Sequence, residues 1–79
     1  PAPPPIQDEL ASAQNDLNKG REKNGVNKLK ALAQAHPGTD VSDTAWTLIG
    51  RVYFKHKDYK SASIAYLQIL NGTASSPHA

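Results

Sequence analysis

Six residues constrain what residues 45–70 can fold into. Trp46, Ile49, Gly50 and Tyr53 are three or four residues apart and so share one face of a helix, and Ala62 and Tyr66, one turn apart, share a face of another. A short charged stretch, KHKD at 55–58, separates the two sets. The residue types suit that placement. Gly50 and Ala62 leave room for two antiparallel helices to approach closely, and Trp46, Ile49, Tyr53 and Tyr66 fill the volume on either side. The spacing therefore predicts a helical hairpin with a small-residue crossing point.

The rest of the chain adds two further helices, another hairpin of the same kind. Leu10, Ala13 and Leu17 recur at helical spacing and predict a first helix over 8–18, with Asp8 and Glu9 favourably placed at its N-terminus. Gly20 ends it and the polar run 21–24 makes the turn. Val26, Leu29, Leu32 and Ala33 form the apolar stripe of a second helix over 24–35, which Pro37-Gly38 stops. Thr39 or Asp40 caps the third helix, which runs to Lys55. A fourth covers 59–71 and ends at Asn71-Gly72. Residues 1–7, with four of the six prolines, read as an extended linker, 8–72 as the domain and 73–79 as a disordered tail.

Sliding the chain on itself by 37 residues, as from Gly25 to Ala62, superposes the first hairpin on the second. Ala13 meets Gly50, Leu17 meets Phe54, Leu29 meets Tyr66 and Leu32 meets Ile69. Small residues match small and large match large. The first copy is the more divergent, with Glu9 where Trp46 stands, Asp16 for Tyr53 and Glu22 for Tyr59. Divergence in a terminal repeat is expected.

The six spaced positions resemble the tetratricopeptide repeat, whose pattern is W-x2-L-G-x2-Y…A-x3-F, with Ile for Leu and Tyr for Phe as the only departures. That family's period is 34 residues; the three extra here fall in HPGTDVSD, 36–43. Pro37, Thr39, Ser42 and Ala45, followed by Ile49, Gly50, Tyr53, Asp58, Tyr59 and Ala62, are similar to the repeats of bacterial cell-envelope proteins such as the Bam-complex lipoprotein and the Tol–Pal-associated coordinator. The resemblance covers roughly residues 10–70. It implies an all-α fold of two helix-turn-helix repeats stacked as a short solenoid. It also implies a periplasmic or envelope setting, although the residues themselves leave a cytoplasmic one open.

Composition narrows the chemistry. The 79 residues carry nine Lys/Arg against seven Asp/Glu, net +2, and the pI near 9.1 reflects only that small excess. The basic residues are interspersed with Asp, Glu and Asn instead of clustered, so no nucleic-acid partner is expected. There is no cysteine, which removes disulfides and Cys-based metal sites. No apolar run approaches the ~18 residues of a membrane span, so a membrane link is expected only through an anchor outside this chain. The chain begins at Pro1, which reads as a processed product or excised fragment. His36, His56 and His78 lie in three segments without ligand spacing, no G-x-S-x-G elbow occurs, and the glycines are isolated. No catalytic residue, metal or cofactor is expected: this reads as a non-enzyme.

Two surfaces are candidates for a protein or peptide partner. The resemblance implies a groove lined by the first helix of each repeat: Leu10, Gln14, Leu17 and Asn18 from helix one, and Thr47, Arg51, Phe54 and Lys55 from helix three. Arg51 and Lys55, one turn apart, could hold a carboxylate. The second surface is on helix four. Ala62, Ala65, Tyr66, Ile69 and Leu70 are expected as its core stripe, leaving Ile64 and Leu67 on the opposite side, where the first repeat has Asn27 and Lys30. Covering those two apolar side chains is worth about 3–5 kcal/mol. The expected function is a protein-interaction module, an adaptor or scaffold. The alternative is a structural unit whose role is homo-oligomerisation through the last helix.

Overall fold

The computed structural model describes residues 6–74, with side chains through 71. Within them the chain forms four helices and no strand: α1 (Ile6–Asn18), α2 (Glu22–Ala35), α3 (Asp40–Lys55) and α4 (Tyr59–Ala74). The expected all-α fold is what the structure has. Ile6 and Gln7 belong to α1, so the helix begins directly after the proline run, whose residues 1–5 lie outside the described part. The second helix starts at Glu22, two residues before the expected 24. The fourth does not stop at Asn71-Gly72 but continues to Ala74, and the remainder of the expected tail, 75–79, lies outside the described residues.

The two hairpins share one turn, atom for atom. In the first, the Arg21 N–H donates to the Asp16 carbonyl at 2.8 Å and the Gly20 N–H to the Leu17 carbonyl at 3.1 Å. In the second, 37 residues on, Asp58 donates to Tyr53 and Lys57 to Phe54, both at 2.9 Å. This pair of bonds is the Schellman arrangement, which needs a left-handed residue just past the helix end. Gly20 supplies it with φ +81° and Lys57 with φ +63°. Each following helix also opens with the same bond, Gly25 to Arg21 and Ala62 to Asp58. The helix ends flanking the turn, Asn18 and Glu22, map onto Lys55 and Tyr59. The 37-residue repeat is thus a repeat of backbone as well as of side-chain size.

The connection between hairpins is only four residues, 36–39. Gly38 takes the left-handed conformation there (φ +75°), and Thr39 caps α3: its hydroxyl accepts from the Ser42 N–H at 3.2 Å and donates to the His36 carbonyl at 2.6 Å. The extra residues anticipated between helices two and three therefore do not lengthen the loop. Asp40–Asp43 wind into an additional turn at the start of α3.

Each helix packs on the next, α1 on α2, α2 on α3 and α3 on α4; α1 and α3 touch along a short seam, while α4 meets neither α1 nor α2. The molecule is thin, with Cα extents of 41 × 39 × 12 Å. The core runs through it: Ala13, Val26, Leu29, Ala33, Ala45, Ile49 and Ala65 are buried, and Leu10, Leu17, Trp46, Leu48, Val52 and Tyr53 pack against them. Both crossing points are small. Ala13 and Gly25 meet in the first hairpin, where a Cβ on Gly25 would stand 3.0 Å from the Ala13 carbonyl oxygen and 2.6 Å from Leu17 Cδ2. In the second hairpin Gly50 and Ala62 are buried on facing helices, and a Cβ on Gly50 would stand 2.6 Å from the Tyr66 ring.

Candidate functional site

The expected groove residues are solvent-accessible to different degrees. Gln14, Asn18, Arg51, Phe54 and Lys55 are exposed, Leu10 and Leu17 are half-buried against the core, and Thr47 is half-buried with its hydroxyl donated to the Asp43 carbonyl at 2.8 Å. Arg51 makes no ion pair among the described residues. Lys55 is not free to act with it: its ammonium lies 2.9 Å from Glu22 Oε2. His56 Nε2 completes the group, 2.6 Å from Glu22 Oε1. This cluster ties the start of α2 to the end of α3. The hydrogen bond from Lys55, then the one from His56, holds the Glu22 carboxyl below its ordinary value of 4.5.

A second polar tie joins α1 to α2. Asp16 is buried although it stands where the second hairpin has Tyr53. The Lys28 ammonium sits 2.7 Å from Asp16 Oδ2, off the hydrogen-bond direction, so the contact is Coulombic; the same ammonium donates to Ser12 Oγ at 3.0 Å. Arg21 is more distant, at 4.0 Å. Neither tie is legible in helical spacing, because the partners are 12 and 33 residues apart in the pairs Asp16–Lys28 and Glu22–Lys55. The mismatches Asp16/Tyr53 and Glu22/Tyr59 are the available signal: a charge at a position that holds an aromatic in the sister repeat needs a counter-charge.

The main apolar exposure is on α4 and the adjoining end of α3. Ile64 and Leu67 are each 51% exposed, which places both outside the core as expected. The expected core stripe needs correction. Ala62 and Ala65 are buried and Ile69 is half-buried, but Tyr66 is 37% and Leu70 63% exposed. Phe54, 58% exposed, lies edge-on to Tyr59 with ring centroids 5.2 Å apart. The reason is one-sidedness. Tyr66 lays one side of its ring on Gly50 of α3 and leaves the other open, and Leu70 is mostly in solvent, because among the described residues no further helix lies beside α4.

Open grooves mark the surface of the described residues. One, of about 560 Å³, lies between α1 and α2 against Asp8, Glu9, Ser12, Lys28, Leu32 and Ala35. Glu9 there occupies the register of Trp46, which lines the groove over the second hairpin. Two more lie along α3, one of about 340 Å³ between it and α2 and one of about 330 Å³ over it between α2 and α4, and they share Lys30 and Tyr53. The Lys30 ammonium stands 5.9 Å from the Tyr53 ring centre. Among the described residues no three His, Cys, Asp or Glu side chains come together, and no helix is long and apolar enough to cross a membrane.

No protein-family model, curated protein or solved structure matches this chain. Its reading rests on its own residues and their geometry.

Proposed function

We propose that this chain is a non-catalytic protein-interaction module of tetratricopeptide type, two hairpins of a short solenoid, acting as an adaptor or scaffold in a bacterial envelope or secretion-type protein. One observation carries the reading: a helical hairpin used twice at a 37-residue shift, with the same Schellman turn and the same small-residue crossing, in a thin array whose apolar side chains are incompletely covered. Such an array offers long surfaces instead of a single enclosed pocket, which suits extended or helical segments of another protein. The envelope setting rests on the resemblance of residues 37–62 alone.

The test is a selection of displayed 12- to 16-residue peptides on the immobilised chain. Enrichment of a related set, with affinity lowered by substitution at Arg51, Phe54 or the α4 surface, is the expected result. A selection that returns nothing above an unrelated protein of equal charge would contradict it. Self-association is the second reading, favoured by the exposure of both Ile64 and Leu67. It predicts a dimer whose mass in solution halves on Leu67→Asp; a monomer before and after dismisses it.

A further inference from the structure

The geometry points to the edge formed by Phe54, Tyr66, Leu67 and Leu70 as a docking seam for one amphipathic helix with an acidic flank, supplied by a partner protein; this rests on the interaction-module reading above. The repeat itself is the ground for it. At a shift of 37 these residues are the counterparts of Leu17, Leu29, Lys30 and Ala33. In the first hairpin α3 lies over that surface: Leu29 and Ala33 are buried, Leu17 packs against the core, and Lys30 leans on Tyr53. In the second hairpin Phe54, Leu67 and Leu70 are more than half exposed and Tyr66, its ring against Gly50, is 37% exposed; two carry larger apolar side chains than their mates, Phe54 for Leu17 and Leu70 for Ala33. The molecule thus contains both a covered and an uncovered copy of one surface.

The covered copy shows what a cover looks like. The seam of α3 turned toward the first hairpin includes Ala45, Leu48 and Val52, spaced i, i+3, i+7. A second copy of this chain cannot supply it head-to-tail, because α1 has Asp8, Ala11 and Asn15, all exposed, where α3 has Ala45, Leu48 and Val52. Charge selects the partner further. α4 carries Lys60 and no Asp or Glu, Arg51 makes no ion pair among the described residues, and Lys57 is exposed beside the turn. A helix with this apolar spacing and acidic residues flanking it matches the edge in shape and sign.

Titration of the full chain with two probes tests this: a 16-residue peptide of the α3 sequence, 40–55, and the same peptide carrying Arg51→Glu and Lys55→Glu. Both should bind one-to-one, the acidic one several-fold more tightly, a preference that shrinks in high salt. Leu70→Lys in the chain should lower the affinity about tenfold or more, while Ile64→Lys, whose counterpart Asn27 is exposed, should leave it unchanged; circular dichroism checks that both variants fold. No saturable binding to a monomeric chain, or equal loss in the two variants, overturns the seam. So does a dimer that Leu70→Lys dissociates, which would make a second copy the occupant. If displayed peptides bind and ignore Leu70→Lys, the seam is wrong and the module reading survives.

Discussion

The two hairpins are the same object in different circumstances. Among the described residues the first has a neighbour on its open side and the second has none, and that difference overrides residue type. Leu29 is fully buried, whereas its larger counterpart Tyr66 keeps more than a third of its surface in water. Ala33 is buried and Leu70 is not. For Ala33 and Leu70 hydrophobicity alone would give the opposite order. In an open array burial is set by the neighbouring hairpin, so apolar character on a side without a neighbour among the described residues marks a surface open to a cover. The crossings differ too. In the first hairpin the glycine is on α2 and admits Leu17 from α1; in the second it is on α3 and admits Tyr66 from α4.

The largest contrast should come from truncating one register pair. Leu29→Ala should cost about 3–4 kcal/mol, enough to unfold a domain of this size, and Tyr66→Ala about 1 kcal/mol. Urea unfolding followed by circular dichroism measures both, and equal costs would break the distinction between covered and bare. Next come the crossings. Gly25→Ala gains about 1 kcal/mol of helix propensity but drives a methyl against Leu17 and the Ala13 carbonyl, for a net loss of about 1–2 kcal/mol. At Gly50→Ala the obstacle is the free end of the Tyr66 ring, which can swing into solvent, so the change should be within about 0.5 kcal/mol of neutral.

A smaller effect is expected at the turns. Lys57→Gly relieves a left-handed lysine and should stabilise by about 0.5–1 kcal/mol, while Gly20→Lys should cost about the same. If the Schellman turns are equivalent, the two values will be opposite in sign and similar in size. The smallest effect is that of pH on the tie between hairpins. Glu22 is lowered in the folded state, so its contribution is present above the ordinary value of 4.5 and disappears as pH falls through the lowered one. The melting temperature of Glu22→Gln should therefore lie slightly below that of the parent at pH 6 and merge with it in more acidic solution; a gap unchanged in acid would place the Glu22 effect elsewhere.

Much of the fold is legible in the sequence because it is written in short-range terms. Helical spacing places four helices, Gly20 and Pro37-Gly38 place turns, and size-matching at a shift of 37 pairs the hairpins. Helix ends are less legible where a signal has two meanings: Asn71-Gly72 looks like a stop, yet the helix runs through it. On the candidate surface, the polar counterparts of Ile64 and Leu67 mark both as lying outside the core, where the structure has them. Tyr66 and Leu70 mislead, because their counterparts are buried under α3, which has no equivalent beside α4 among the described residues. Spacing alone offers Lys55 to a ligand, whereas a residue 33 positions earlier, Glu22, already holds it. Contacts across the array are the part that periodicity does not encode.

Amide hydrogen exchange on the free chain compares the covered and open copies of the repeat through the register-matched segments 26–33 and 63–70. The account predicts that α2 exchanges among the slowest amides and α4 markedly faster, with the gap closing when the acidic probe peptide is bound. Equal protection of the two segments in the free chain would contradict it, since α4 would then be covered as α2 is.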